Sequence, residues 1–180
     1  MFGLFNGSNN DIVDDIEAVL RPMAGMAIAK KFALHDIVGD VETWQADLES
    51  AILLLNETEF RDIQIIGTYA FDDGTWLWAW GNQGSDFAEN IVRDSFALQR
   101  YGKENGIAWL TERTFELEQD DVEAVAAVAV GIVQADGYYL AFHDAGIAVF
   151  SLRDPRLKQA LAAENPARAT VVIPEMVATF

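Results

Sequence analysis

The chain has no cysteine in its 180 residues, so a disulfide scaffold, a thiol nucleophile and a thiolate metal site are all excluded. It has only two histidines, His35 and His143, and neither belongs to an H-E-x-x-H or similar local pair. Bases are scarce. Twelve Lys and Arg stand against 29 Asp and Glu, a net charge of −17. That balance argues against a phosphate-backbone surface and against anionic membranes, both of which need a basic patch. No apolar run is long enough to span a bilayer; Val122 to Val133 is short and alanine-rich and reads as a buried helix. The first ten residues lack the basic stretch and apolar run of a secretory leader, so the expected compartment is the cytoplasm. There is no G-x-S-x-G, and no Walker or dinucleotide glycine loop. These absences lean against an enzyme without naming or excluding a catalytic residue, since catalytic groups can be dispersed along the chain; no metal site or cofactor is expected.

What is present is a globular composition, half apolar, of a length that fits one domain and buries a sizeable core. The most informative stretch is Gly67 to Asn82, which puts Trp76, Trp78 and Trp80 at a spacing of two. On a strand those indoles share one face. Four strands are expected between Thr43 and Asn82: Trp44–Glu49, Ser50–Leu55, Ile63–Phe71 and Thr75–Trp80. Asp73-Gly74 is a type I′ hairpin signal between the last two. Short runs joined by short turns predict an antiparallel meander.

Before the meander, Ser8 to Asp11 offers helix caps. Ile12, Ile16, Val19, Leu20, Met23 and Ala27 make a helical stripe. Pro22 is expected to kink or divide that helix, and Gly39 to end the region. After it, Asp86 to Glu104 reads as a second amphipathic helix stopped by Gly106. Ile107–Leu110 has no assignment, and Thr114–Glu118 is a short strand or extended loop. Asp120 and Glu123 have capping-box spacing before an apolar, central helix to Gln134. Tyr138 to Ser151 alternates around Asp144-Ala-Gly146, a three-residue hairpin loop with glycine in the left-handed position. Asp154-Pro155 opens a last helix, and Thr170–Ile173 reads as a final strand. The expectation is therefore α+β: one domain, with a helical segment over 1–40, an antiparallel β-meander over 41–82 packed on several α-helices, and helices plus a second hairpin over 83–180.

The tryptophan stretch resembles the hallmark of a family of uncharacterised bacterial proteins, a "G-T-x-x-x-x-x-x-T-W-L-W-A-W-x-N" hairpin. Trp44-Gln-Ala-Asp-Leu48 looks like the same family's "W-x-x-D-L" strand. The resemblance covers residues 41–110. Where many members have alanine before the asparagine, this chain has Gly81. The family is a domain of unknown function, so the resemblance implies a fold neighbourhood and carries over no activity.

Three functional readings follow. Residues 41–82 hold eight acids against one base, Arg61, and the leading expectation is a non-catalytic module that binds a basic protein, immunity-like in kind, through acids such as Glu42, Glu49 and Glu57. The second is a small-molecule binder or hydrolase with a pocket bordered by Trp76, Trp78 and Trp80, and with Asn82, Asp86 or a histidine as the polar group. The third is a structural subunit of a homo-oligomer, favoured if residues 138–150 expose apolar strands.

Overall fold

The computed structural model describes residues 9–163, with side chains from residue 11 onward. Helix α1 (Asn9–Leu20) and helix α2 (Ala24–Val38) are separated by a 3-10 turn at Arg21–Met23. Pro22 divides them as expected, because its ring displaces the preceding turn and it donates no hydrogen bond. Helix α2 ends where the Gly39 N–H meets the His35 carbonyl at 2.7 Å.

The region after Gly39 differs from a single meander. Strands β1 (Trp44–Asp47), β2 (Ile52–Leu55) and β3 (Thr58–Arg61) form a three-stranded antiparallel sheet of their own. Strand β3 was not expected, because Thr-Glu-Phe-Arg carries only one large apolar residue. Its cue is Asn56, which turns the chain with a φ of 52°. The Asn56 side chain also organises the loop before β1. Its Oδ1 accepts from the Glu42 and Thr43 N–H groups, and its Nδ2 donates to the Val38 and Asp40 carbonyls.

Strand β4 (Gln64–Ala70) and strand β5 (Thr75–Trp78) enter a second sheet. Helix α3 (Arg93–Asn105), strand β6 (Thr114–Glu116), helix α4 (Val122–Ile132), strands β7 (Gly137–His143) and β8 (Gly146–Leu152) and helix α5 (Pro155–Ala162) complete the order. The sheet runs β6-β5-β4-β8-β7, all antiparallel. Both its faces are covered. One packs on α1, α4, Leu98 of α3 and the start of α2. The other packs on Leu53, Leu55 and Phe60 of the small sheet, with Leu157 of α5 and Ala33 and Leu34 of α2. This is an α+β fold, as the sequence predicts.

Several local details depart from expectation. The β4–β5 loop is Phe71–Gly74, closed by the Gly74 N–H on the Ala70 carbonyl at 3.1 Å. Only Gly74 is left-handed (φ 65°), whereas a type I′ turn needs two such residues. The β7–β8 loop is Asp144-Ala145, because Gly146 already pairs with His143. Gly146 is not left-handed; a Cβ there would run into the Tyr69 carbonyl of the neighbouring strand, so the position serves close approach. Helix α3 starts seven residues later than expected, after a 3-10 turn at Glu89–Ile91. The unassigned stretch is another 3-10 turn, Ala108–Leu110. The Asp154 cap forms and accepts from the Arg156 N–H. The expected strand at Thr170–Ile173 lies outside the described residues.

Strand β4 carries a bulge between Ile65 and Gly67. The extra residue keeps Ile66 and Tyr69 on the helix-facing side although they are three apart. The Ile66 carbonyl accepts from the Ser95 hydroxyl at 3.0 Å, which ties the bulge to α3.

Candidate functional site

The indoles meet, but not all on one strand. Trp76 and Trp78 lie on β5 and are fully buried. The strand ends there, and Ala79–Gly81 forms a 3-10 turn. Two contacts hold that turn: the Trp80 N–H donates to Ser95 Oγ at 3.0 Å, and Arg113 Nε–H donates to the Gly81 carbonyl at 2.7 Å. Trp80 is half-buried and packs against the same core. Trp109 joins the cluster, stacked on Trp78 with ring centroids 5.9 Å apart, and its carbonyl accepts the Trp78 Nε1–H at 3.1 Å. The Nε1–H groups of Trp76, Trp80 and Trp109 are buried and have no acceptor among the protein atoms described. Asn82 and Asp86 lie on the loop that follows. Asn82 Oδ1 accepts from the Ser85 N–H at 3.2 Å, and Asp86 is exposed with a φ of 46°. His35 faces Asp40 at 3.4 Å, His143 Nδ1 accepts from the Ala145 N–H, and both histidines are exposed. Among the described residues no group of three or more His, Asp or Glu side chains could hold a metal ion.

A buried polar node escaped the sequence reading, because its members are dispersed along the chain. The Asp94 carboxylate, in the first turn of α3, accepts from Ser151 Oγ at 2.6 Å and from both Arg153 Nη atoms at 2.6 and 3.0 Å. Arg153 also donates to the Val133 carbonyl just past α4. Lys30 is 6 % exposed and reaches the Val130 carbonyl at 3.4 Å. Burial pulls its pKa down; the nearby Asp136 carboxylate opposes that, and the Arg153 guanidinium adds to it. Asp136 in turn accepts from the Asp154 N–H. These bonds fasten the start of α3 and the end of α4 to the end of β8. The groups are turned on one another, which suits a clamp rather than a reacting centre.

Among the described residues, one surface feature with open space is a groove between α1 and the start of α4, a cavity of about 130 Å³. Its floor is Val13, Ile16, Leu20 and Ala124; Glu17, Asp121 and Arg21 stand at its edge. Asp121 belongs to a 3-10 turn, Gln119–Asp121, that leads into α4. Its carboxyl titrates above the usual carboxylate range, first through partial burial and then through the charges of Asp120, Glu118 and Glu17. The expected capping box does not form, and α4 has no side-chain cap at Asp121. Glu123 is instead engaged by Lys31 at 2.6 Å and by the Tyr138 hydroxyl at 3.2 Å. The negative field extends beyond the groove. The Tyr69 phenol is held above its ordinary pKa by burial, then by Glu118, then by Asp73. The segment that carries these acids is stitched to the β4–β5 loop by the Leu117 N–H on the Gly74 carbonyl at 2.8 Å.

A model of a family of unknown function, DUF6882, matches residues 17–155, from the last turn of α1 to the first residue of α5. The chain belongs to that family. The match takes in both sheets, the tryptophan cluster, the polar node and most of the groove. No curated protein and no solved structure gives a significant match. The family contributes no activity, so function must be argued from the site.

Proposed function

We propose that the protein is a non-catalytic module that binds a basic protein, with the α1–α4 groove as its contact surface. The observation that carries this reading is the carboxylate crowd around Asp121 at the edge of an apolar floor. Like charges gathered so closely repel one another in the free protein, and a cationic partner relieves that repulsion while covering apolar area. The surplus of acids over the whole chain supports the same partner by long-range steering. The contact shifts from the sheet-edge acids Glu42, Glu49 and Glu57 to the groove, where charge and apolar surface coincide. The reading places the protein in the cytoplasm, in keeping with a chain without cysteine.

Affinity capture of the tagged protein in lysate at low and high salt tests it. A basic protein retained at low salt, shed at high salt, and lost from the Glu17→Lys/Asp121→Lys variant is the expected result. Equal retention by that variant would refute the groove as the contact.

A second reading rests on the indole N–H groups of Trp76, Trp80 and Trp109, which lack protein acceptors. A small molecule bearing carbonyl oxygens could engage them. Tryptophan fluorescence that stays flat across a chemically broad ligand screen would count against it. For the third reading, a homo-oligomer subunit, residues 138–150 supply little: Phe142 is their one exposed large apolar side chain.

A further inference from the structure

We propose that the partner presents a run of lysine or arginine bracketed by apolar residues, and that this run lies along a strip from the α1–α4 groove to the β4–β5 loop. The inference rests on the basic-partner reading above and names the chemistry of the segment that docks.

Three observations lead to it. The groove floor is aliphatic, and a purely electrostatic partner would leave it wet. The Leu117 N–H on the Gly74 carbonyl, 2.8 Å, sets the exposed Glu116 and Glu118 beside the loop that carries Asp72 and Asp73, so exposed acids run from the groove edge at Asp121 to that loop; the raised Asp121 carboxyl and Tyr69 phenol agree with that placement. At the far end stands Phe71, 38 % exposed, its ring set edge-on to Tyr69 with centroids 6.1 Å apart. The strip therefore reads apolar, acidic, apolar along its length. The complementary segment is apolar, basic, apolar. The outer residues fix the register, and the cations between them supply attraction that salt can screen. Asp72, beside Phe71, extends the charge to the end of the strip.

The test compares two synthetic peptides of equal charge at low ionic strength: a lysine run with leucine at each end, and a plain oligolysine. Burying an aliphatic side chain is worth enough to separate them by about tenfold in Kd. The expected result is that separation, with backbone amide shifts at residues 13–21, 69–74 and 118–124. Val13→Ser and Phe71→Ser should each weaken the bracketed peptide several-fold and leave oligolysine unchanged. Equal affinities for the two peptides, or shifts centred on residues 42–61, would overturn the inference while leaving a basic partner in place. If neither peptide binds at low salt, the inference and the reading beneath it fall together.

Discussion

Removing Arg153 should cost far more than removing its partner, although the two form one ion pair. The Asp94 side chain is 10 % exposed and the Arg153 side chain 38 %. In Arg153→Met the carboxylate stays in place with only the Ser151 hydroxyl to satisfy it, and the Val133 carbonyl also loses its donor. An uncompensated buried charge costs about 3–5 kcal/mol, and little hydration is within reach to reduce it. In Asp94→Leu the guanidinium can turn outward to water. What remains is mainly an unpaired Ser151 hydroxyl, about 1–2 kcal/mol. The double variant contains no buried carboxylate, so it should be less destabilised than Arg153→Met alone, at about 1–2 kcal/mol. Guanidinium unfolding followed by tryptophan fluorescence would read all four proteins of the cycle, because Trp78 and Trp109 lose their stacking when the core opens. A loss below about 1 kcal/mol for Arg153→Met would refute the clamp, since so small a value is typical of an exposed pair. Additivity of the two single changes would refute it as well.

Three further outcomes are expected. Gly67→Ala places a Cβ 2.5 Å from Trp76 Cζ2 and 2.7 Å from the Leu77 carbonyl; a loss of about 3 kcal/mol in denaturant unfolding is expected, and an unchanged midpoint would show that the indole slot is looser than its geometry. Burial, then the Glu123 charge and hydrogen bond, raise the Tyr138 phenol well above its ordinary pKa. The folded state thus holds that proton more tightly than the unfolded chain, so the stabilisation is complete below about pH 10 and drains away as pH climbs toward the folded-state value. Tyr138→Phe should flatten this alkaline fall in stability, leaving the part due to Tyr69 and Tyr139, whose phenols are raised too. The Asp121 carboxyl is also raised, so its ionised form is disfavoured in the fold and stability falls as pH rises through its folded-state value. At neutral pH Asp121→Asn should therefore melt at a higher temperature than the parent in low salt, and the difference should shrink when salt is added.

The larger elements were legible because each has a local cause. Pro22 divides the first helical region whatever surrounds it, Asp154-Pro155 caps and starts α5, and the uniform apolarity of α4 announces a helix packed on all sides. The partition of the strands into two sheets was not legible. It depends on β4 leaving β3 at Asp62, which turns with a φ of 54°, and pairing instead with β8. No local pattern records that choice. Trp80 shows the same limit. Its spacing continues the strand, yet Ser95 and Arg113, both distant in sequence, hold it in a turn. For the candidate site, the excess of acid was plain from composition. Its location was not, because Asp121 and Glu17 come together only when α1 packs on α4. The polar node of Asp94, Ser151 and Arg153 was invisible for the same reason.

The pairing of β4 with β8 has a consequence for how the protein is made. Gln64 finds Ser151 across the sheet, so the central strand waits for much of the chain to emerge before its second neighbour exists. A nascent chain that has not reached Gly146 can close the β4–β5 hairpin, but it leaves one side of β4 as a row of unpaired backbone donors and acceptors beside an apolar face. Such an edge attracts other strands. The aggregation hazard thus spans the interval between the emergence of β4 and that of β8, and it ends when the β7–β8 hairpin is delivered.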